Sequence, residues 1–420
     1  MDLRHKRVAI IGSGKSGMAI AELVLHFQGQ PKISEKAPQE SLKNILEKWP
    51  QRKRVEMEFG GHTRKFIEES DMVVLSPGVP ISAEPVAWAK AKDISVFGEV
   101  ELAFRFCPCP VIAVTGSNGK TTVSTLIAKV LEETKRKVCL CGNIGSPFSS
   151  HVTSLKKNDL VVLEISSFQL ESIIHFRPHV AVFVNFSQNH LDRHKDMEEY
   201  LCAKKRIFSN QKKNDFAILN YEDPIVKNLA SEVQSKVSYF NSPGLSEKLG
   251  IRNPNHLAAA EVGRIFDVSP DQCKKIFSGF KGVEHRLELV RTIDGVDFVN
   301  DSKSTTPEAG RWALTTMEKP IVMICGGYDK KLGFDVLSDL VGRKVKRIFA
   351  IGQTKEKITK AFSGVVNVEE CGNLESAVVS ARRAAVPGDC VLLSPMCASF
   401  DMFKNFEERG KVFKQIVSQL

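Results

Sequence analysis

Residues 111–122, VIAVTGSNGKTT, join a β-branched apolar run to a glycine-turned loop, a lysine and two hydroxyls, and lead into the helical pattern VSTLIAKVLEE. A strand that turns through glycines into a helix start offers backbone N–H groups to an anion. A lysine there reaches terminal phosphates, and a hydroxyl holds Mg²⁺. The stretch therefore predicts an ATP-binding loop on a parallel sheet. Its spacing departs from G-x-x-x-x-G-K-[ST], because Val114 stands in place of the first glycine before Gly119 and Lys120. The alternative is a tight turn with an incidental lysine.

A chain of 420 residues exceeds one ordinary core and predicts two or three domains. Its 42% hydrophobic and 26% charged residues place it with globular proteins. No apolar run reaches the roughly 18 residues of a membrane span. Gly12, Gly14 and Lys15 interrupt the N-terminal apolar run too early for a signal-peptide core. The close cysteine pairs Cys107/Cys109 and Cys139/Cys141 lack the usual zinc or redox spacing, so reduced thiols and a cytoplasmic setting are expected. The net charge of +10 suits anionic partners, small or nucleic, and its even spread along the chain points to small anions.

Three α/β units follow one another. RVAIIG runs into Gly12-x-Gly14-x-x-Gly17 and a helix, then a strand near PKIS ends at Ser34 and Glu35. This is the layout of a dinucleotide fold. A further strand, DMVVLSPGVP, breaks at Ser76-Pro77-Gly78. The pattern restarts after CPCP (107–110), with apolar strands in DLVVLEISSF and HVAVFVNF. A third unit begins near Val283, with strands at VDFVND, PIVMICGG, RIFAIG and DCVLLSP. Strands alternating with helices predict α/β architecture with mostly parallel sheets covered on both faces.

Several strand ends carry candidate chemistry. Glu164 ends one strand, and His190 and Asp192 follow another. A carboxylate there completes a Mg²⁺ shell with Thr121, unless Glu164 merely caps a helix and His190 is an ordinary loop histidine. Lys204 lies in EEYLCAKKRIF, which by itself reads as a solvated basic face. Arg286 follows a glycine-containing connector, where it reaches a base or phosphate or simply faces water. Asp301, Ser302, Lys303 and Thr305 end another strand before Pro307, as a ligand site or a helix cap. CGGYDKK and LLSPMCASFDMFKNFEERG add a glycine turn with lysines and the residues Ser399, Phe400 and Phe406.

Taken in order, GSGKSG, TGSNGKTT, GNIG, LEISSFQL, NHLDRH, KKR, EHR, NDSKST, GGYDKK and LLSPMCASFDMFKNFEERG resemble the Mur ligases, nearest to their D-glutamate-adding members. The resemblance implies a Rossmann-like UDP-substrate domain (1–106), a central P-loop-type ATPase domain (107–284) and a Rossmann-like amino-acid domain (285–420). It implies a cytoplasmic, monomeric ligase that uses ATP and Mg²⁺, with UDP-N-acetylmuramoyl-L-alanine and D-glutamate as small-molecule partners and neither nucleic acid nor membrane. The substrate carboxylate is phosphorylated and the amino-acid amine attacks the acyl phosphate. By motif, ATP falls to Gly116, Ser117, Asn118, Gly119, Lys120, Thr121, Thr122, Asn253, Arg286 and Asp301. The UDP substrate falls to Lys15, Ser16, Ser76, Pro77, Gly78 and Asn143, and the amino acid to Lys303, Thr305, Lys330, Ser399, Phe400 and Phe406. The metal falls to Thr121, Glu164, His190 and Lys204 as a carbamate, with Lys120, His190 and Lys204 catalytic.

The chain departs from the family pattern at four places. Asn189 precedes the metal histidine in place of aspartate, and Arg252-Asn253-Pro254-Asn255-His256 keeps only Asn253 of the adenine-side motif. Thr306 stands where asparagine is common, and Ser34-Glu35-Lys36 replaces Asp-Thr-Arg on the uracil side. The competing readings are a sister or folate polyglutamate ligase, a nicotinamide dehydrogenase built on Gly12, Gly14, Gly17 and Glu35, and a nucleic-acid-binding module.

Overall fold

Three sheets carry the strands of the computed structural model, which describes residues 1–187, 193–280, 282–329 and 332–420. The first contains β1 (Arg7–Ile11), β2 (Gln30–Ser34), β3 (Glu56–Glu58), β4 (Met72–Leu75) and β5 (Ser95–Gly98), in the order β3-β2-β1-β4-β5. All its pairs are parallel. β4 is buried throughout, as a strand covered on both faces must be. The connections diverge between β1 and β4, which opens a crevice at their carboxyl ends. There the Ser76 hydroxyl donates to the Gly12 carbonyl at 3.1 Å. A side chain at Gly17 would run into that same carbonyl, so the third glycine is a packing requirement.

The second sheet contains β6 (Val111–Thr115), β7 (Val138–Gly142), β8 (Leu160–Glu164), β9 (Val180–Phe183), β10 (Phe216–Asn220) and β11 (Lys236–Phe240). Its order is β11-β10-β9-β6-β8-β7, again all parallel. Val114 pairs with Glu164, Glu164 with Gly142, and Thr115 with Phe183. The chain therefore leaves β6, β7, β8 and β9 at one edge.

The third sheet contains β12 (Glu288–Ile293), β13 (Val296–Asn300), β14 (Ile321–Gly326), β15 (Val345–Ile351), β16 (Asn367–Glu370) and β17 (Cys390–Leu393), in the order β12-β13-β17-β14-β15-β16. β12 is antiparallel to β13, and the other pairs are parallel. The expected α/β class is thus what forms, with one antiparallel edge. The hairpin turns at Asp294 and Gly295, whose φ of 48° and 76° are both left-handed, the conformation an Asp-Gly pair adopts most readily.

Two compact units result, Met1–Gly279 and Phe280–Leu420. Among the described residues no helix is long and apolar enough to cross a membrane. Within the first unit, Glu101 stands on the short helix Glu99–Phe104 that leads from the first sheet toward the second. Its buried carboxylate accepts the N–H groups of Ile174, His175 and Phe176 at 2.8, 2.9 and 2.9 Å, and Arg105 Nε at 2.8 Å. Removing such an acceptor strands the buried Phe176 N–H and two partly buried donors beside it, a buried one costing about 1–3 kcal/mol. Glu101→Ala is expected to lower unfolding stability by about 3 kcal/mol or more, read from the urea midpoint at unchanged slope. A loss below about 1 kcal/mol would mean that water replaces the carboxylate.

Candidate active site

The loop after β6 is shaped by two left-handed glycines, Gly116 (φ 153°) and Gly119 (φ 75°). A Cβ on Gly116 would lie 3.1 Å from the Val184 side chain and 3.2 Å from Asn185 N, so the close approach of the β9 loop demands glycine. Asn185 fixes the turn: its Oδ1 accepts Asn118 N at 2.8 Å and its carbonyl accepts Ser117 N at 2.9 Å. The helix Lys120–Glu132 starts behind Gly119 without a side-chain cap, and the positive end of its dipole suits an anion. Lys120 Nζ donates to the loop carbonyls of Gly116 and Ser117 at 3.0 and 3.1 Å.

Glu164 is 2% exposed at the end of β8. Its Oε1 accepts Asn143 Nδ2 at 2.8 Å, and its buried Oε2 has no hydrogen-bond partner among the described residues. Helix capping does not explain it, since Ser166 caps the helix Ser167–Glu171 in a reciprocal pair with Gln169. Lys204 does not lie on a solvated face. It is 1% exposed, and its Nζ donates to Gly116 O at 2.8 Å and stands 4.7 Å from the Tyr200 ring centre. Burial drives its amine well below the ordinary lysine range and the Lys120 charge adds to this, with Glu164 opposing. Lys205, the next residue, pairs instead with Glu232. His190 and Asp192 lie outside the described residues.

Arg193 stacks its guanidinium 4.0 Å above Phe168 and donates to the carbonyls of Gly78 and Pro77 at 3.3 and 3.5 Å. Ser76-Pro77-Gly78 is thereby tied to the second sheet's edge. Lys15 is exposed and Ser16 half-buried in the uncapped first turn of the helix Lys15–His26. Glu35 already accepts Ser13 N and Oγ at 2.7 and 2.8 Å and Ala37 N at 2.9 Å. Burial alone would raise its carboxyl, yet these donors hold it below the usual range. Both oxygens are engaged within the protein, which disfavours the dinucleotide-ribose contact that the dehydrogenase reading requires. Asn253 caps the helix Pro254–Ile265, while Asn255 Oδ1 lies against Gly119.

In the second unit, Arg286 sits between two left-handed non-glycine residues, His285 (φ 64°) and Leu287 (φ 43°). Such backbone is costly and is held here by buried partners. His285 Nδ1 meets Asn300 Nδ2 at 2.9 Å, Glu288 Oε2 accepts His285 N at 3.0 Å, and Asp301 Oδ1 accepts Leu287 N at 3.3 Å. Glu284, His285 and Glu288 cluster as metal ligands would, but Lys414 Nζ already bridges the two carboxylates at 3.0 and 2.5 Å. Lys303 Nζ lies 5.8 Å from the Phe406 ring centre, and Lys303 N donates to the His285 carbonyl at 3.0 Å. Thr305 is half-buried, and capping of the helix Pro307–Thr316 falls to Thr306. Ser399 is buried with a hydroxyl that has no hydrogen-bond partner among the described residues, and Phe400 is 66% exposed with its ring centre 6.3 Å from that of Tyr328. Lys330 lies outside the described residues.

Family models match three successive segments: the Mur ligase MurD-like N-terminal domain over residues 6–98, the Mur ligase middle domain over 114–285, and the Mur ligase glutamate ligase domain over 285–397. A UDP-N-acetylmuramoylalanine–D-glutamate ligase of Thermoanaerobacter sp. (strain X514) is 39% identical, with 100% of each chain covered. One of Caldicellulosiruptor saccharolyticus is also 39% identical with 100% of each chain covered. The chain belongs to the Mur ligase family. It is a ligase, and solved structures share its fold. The UDP-N-acetylmuramate–alanine ligase MurC of Thermotoga maritima covers 99% of this chain and 100% of its own at TM-score 0.57 and 15% identity. The MurF ligase of the same organism, in complex with ADP, covers 100% and 96% at TM-score 0.57 and 16% identity.

In this Mur ligase, sequence reasoning passed over Asn185, Arg193 and Tyr200 in the first unit and Arg409 in the second. Arg409 is fully buried on the helix Phe406–Gln419, with Nε on Ser302 Oγ at 3.0 Å and Nη2 on Ser302 O at 2.8 Å. An arginine on the apolar face of an amphipathic helix was the available signal. Asp301, beside it in the same unit, is pushed up to about 7 by burial, against the Ser394 hydrogen bond and the Arg286 charge. A carboxyl raised on folding leaves the native state with more bound protons than the unfolded chain. Its contribution is then present below pH ~4 and lost as pH rises through about 7. Asp301→Asn is expected to flatten the fall in urea-unfolding stability between pH 5 and 7.5; equal slopes in both proteins would place the ionised carboxylate in the native state.

Proposed function

We propose that this Mur ligase joins D-glutamate to the L-alanine carboxylate of UDP-N-acetylmuramoyl-L-alanine while ATP becomes ADP and phosphate, in peptidoglycan precursor synthesis. The observation that carries the reading is the buried Lys204 amine under the phosphate loop, at an edge where Glu164 offers a bare carboxylate oxygen. The full-length similarity to D-glutamate ligases supports the choice of amino acid. The setting expected is that of a cytoplasmic monomer acting on small molecules, with neither nucleic acid nor membrane as partner.

A carboxylate is a poor acyl donor, so a phosphate oxygen leaving group is installed first. The carboxylate oxygen takes the terminal phosphoryl group and ADP leaves. The D-glutamate nitrogen then attacks the carbonyl carbon, loses a proton, and the tetrahedral adduct expels phosphate. Such chemistry needs positioning and charge neutralisation more than a protein nucleophile. Lys120 and the loop Gly116–Thr122 neutralise and orient the phosphates in this reading, and Asn253, Arg286 and Asp301 hold the nucleotide. Lys15, Ser16, Ser76, Pro77, Gly78 and Asn143 position the UDP substrate. Lys303, Thr305, Lys330, Ser399, Phe400 and Phe406 receive D-glutamate, whose two carboxylates suit lysines and hydroxyls.

The buried, unpartnered Glu164 oxygen is the kind of donor a hard cation takes. Thr121, Glu164, His190 and Lys204 would hold Mg²⁺, which when bound neutralises phosphate charge. An ammonium would repel that ion. Burial drives the Lys204 amine well below the ordinary lysine range, which favours the form whose lone pair adds to carbon dioxide; an N–C bond forms, a proton is released, and the resulting carbamate offers anionic oxygens.

The function is tested with purified chain, ATP, Mg²⁺ and UDP-N-acetylmuramoyl-L-alanine, measuring phosphate release with D-glutamate, L-glutamate, L-alanine, L-lysine and diaminopimelate. Release with D-glutamate alone is expected; turnover with another of the panel and none with D-glutamate would overturn the assignment.

Lys204→Ala is expected to lose on the order of 10²-fold or more in turnover. Acetate or formate should restore part of it by placing an oxygen pair where the carbamate stood. Lys205→Ala should keep its activity and show no response to carboxylates. A fully active Lys204→Ala at limiting Mg²⁺ would remove the lysine from the metal site.

A further inference from the structure

Cys107 and Cys109 flank Pro108 in the connection between the helix Glu99–Phe104 and β6, outside any helix or strand. The chemistry above makes no use of them. Their sulfurs lie 3.7 Å apart, and Cys107 Sγ is also 3.4 Å from the Cys109 carbonyl oxygen. Sulfurs at that separation are in van der Waals contact, and bonding at ~2.05 Å asks for a closure of only about 1.7 Å. The segment lies outside the sheets, so such a closure breaks no ladder hydrogen bond.

The other close pair, Cys139 and Cys141, is built differently. It occupies alternate positions of β7, whose extended backbone sets such residues roughly 6.6 Å apart at Cα, at the upper limit for a disulfide. Cys141 is fully buried and Cys139 is 8% exposed, whereas Cys107 keeps part of its surface in water. The two thiols of the linker are unequal, as are those of Cys139 and Cys141. The hydrogen bond from Cys109 holds the Cys107 thiol below its usual range, with burial opposing, while the Cys109 thiol is pushed up by Cys107 and by burial.

We propose that Cys107 and Cys109 form a reversible dithiol–disulfide site that reacts with small disulfides and binds bridging, thiophilic trivalent reagents. The Cys107 thiolate attacks one sulfur of a small disulfide such as glutathione disulfide, forming a mixed disulfide and expelling one thiolate. Cys109 gives its proton to solvent and attacks the Cys107 sulfur, and the second small thiolate leaves. Two protein thiols are oxidised and one small disulfide is reduced to two thiols. With a trivalent arsenical oxide, two sulfur–arsenic bonds form and water departs. In a reducing compartment such a pair stays open and closes only under oxidant, as transient redox-sensing disulfides do.

The test uses the full folded chain and phenylarsine oxide, followed by intact mass spectrometry. One arsenical per chain is expected, resistant to 2-mercaptoethanol and removed by 2,3-dimercaptopropanol. Cys107→Ser and Cys109→Ser should each lose the adduct, and Cys202→Ser, which removes an exposed thiol elsewhere, should keep it. Wild-type chain treated with glutathione disulfide should lose two hydrogens in the peptide spanning both residues and regain them with dithiothreitol. Cys109→Ser should instead retain glutathione on Cys107. An adduct that survives in both single variants, or a wild-type peptide that carries no disulfide under glutathione disulfide, would overturn the proposal.

Discussion

Parallel pairing in the central sheet holds Val114 against Glu164 and Thr115 against Phe183, and this register decides where each group of the candidate site leaves the sheet. A parallel ladder sends successive strands out at the same edge, so the phosphate loop, Asn143, Glu164 and the β9 loop converge without further instruction. Side chains alternate between faces along a strand, and a slip of one residue would turn Glu164 to the opposite face and leave Asn143 without its acceptor. The buried β-branched runs that fix the register are thus as much part of the site as its polar groups. Asn185 and Tyr200 then brace the loop from the β9 side, Asn185 through three hydrogen bonds to the loop backbone and Tyr200 with its hydroxyl 3.3 Å from Ser117 Oγ.

Burial shifts the titration of one group in each unit. It drives the Lys204 amine well below the ordinary lysine range and pushes the Asp301 carboxyl up to about 7. In both cases an opposite charge, Glu164 for Lys204 and Arg286 for Asp301, opposes the shift without outweighing burial. Lys204 meets a carbonyl and a ring face, and Asp301 meets a hydroxyl and a backbone N–H. A group prepared in this way responds to whatever charge arrives later, which is the condition ligand-dependent chemistry requires. The strained backbone on either side of Arg286 belongs to the same logic, since buried contacts hold a conformation that local preference would reject.

Much of this was legible in the sequence because parallel strands are nearly continuous apolar runs, and β1, β4, β6, β8, β9, β14 and β17 read as such. The strands that escaped are largely edges. β3 (EME) and β16 (NVEE) are polar and partly exposed, and β12 alternates because one face meets water. The Asp-Gly turn before β13 did announce a hairpin and was the signal available for β12. At the site, glycine spacing revealed the phosphate loop because backbone geometry there admits few residues. Lys204 shows the opposite case. In its helix it is one lysine of an adjacent pair, and only the tertiary packing that buries it while leaving Lys205 on Glu232 separates the two. Arg193 was equally silent, since its partners are carbonyls more than a hundred residues away.

The third sheet has an order of assembly written into it. β17 lies between β13 and β14, yet it is the last strand of the chain to be made. Until residues 390–393 leave the ribosome, β13 and β14 each present a bare, apolar edge to the cell, and β14 with β15 and β16 has no partner on that side. Nascent chains paused before that point expose two open ladders of hydrogen-bonding groups, the surfaces on which unfinished proteins pair with one another. Synthesis of this unit therefore ends by closing a gap in its middle rather than by adding to its rim, and its vulnerability during translation lasts almost to the final helix.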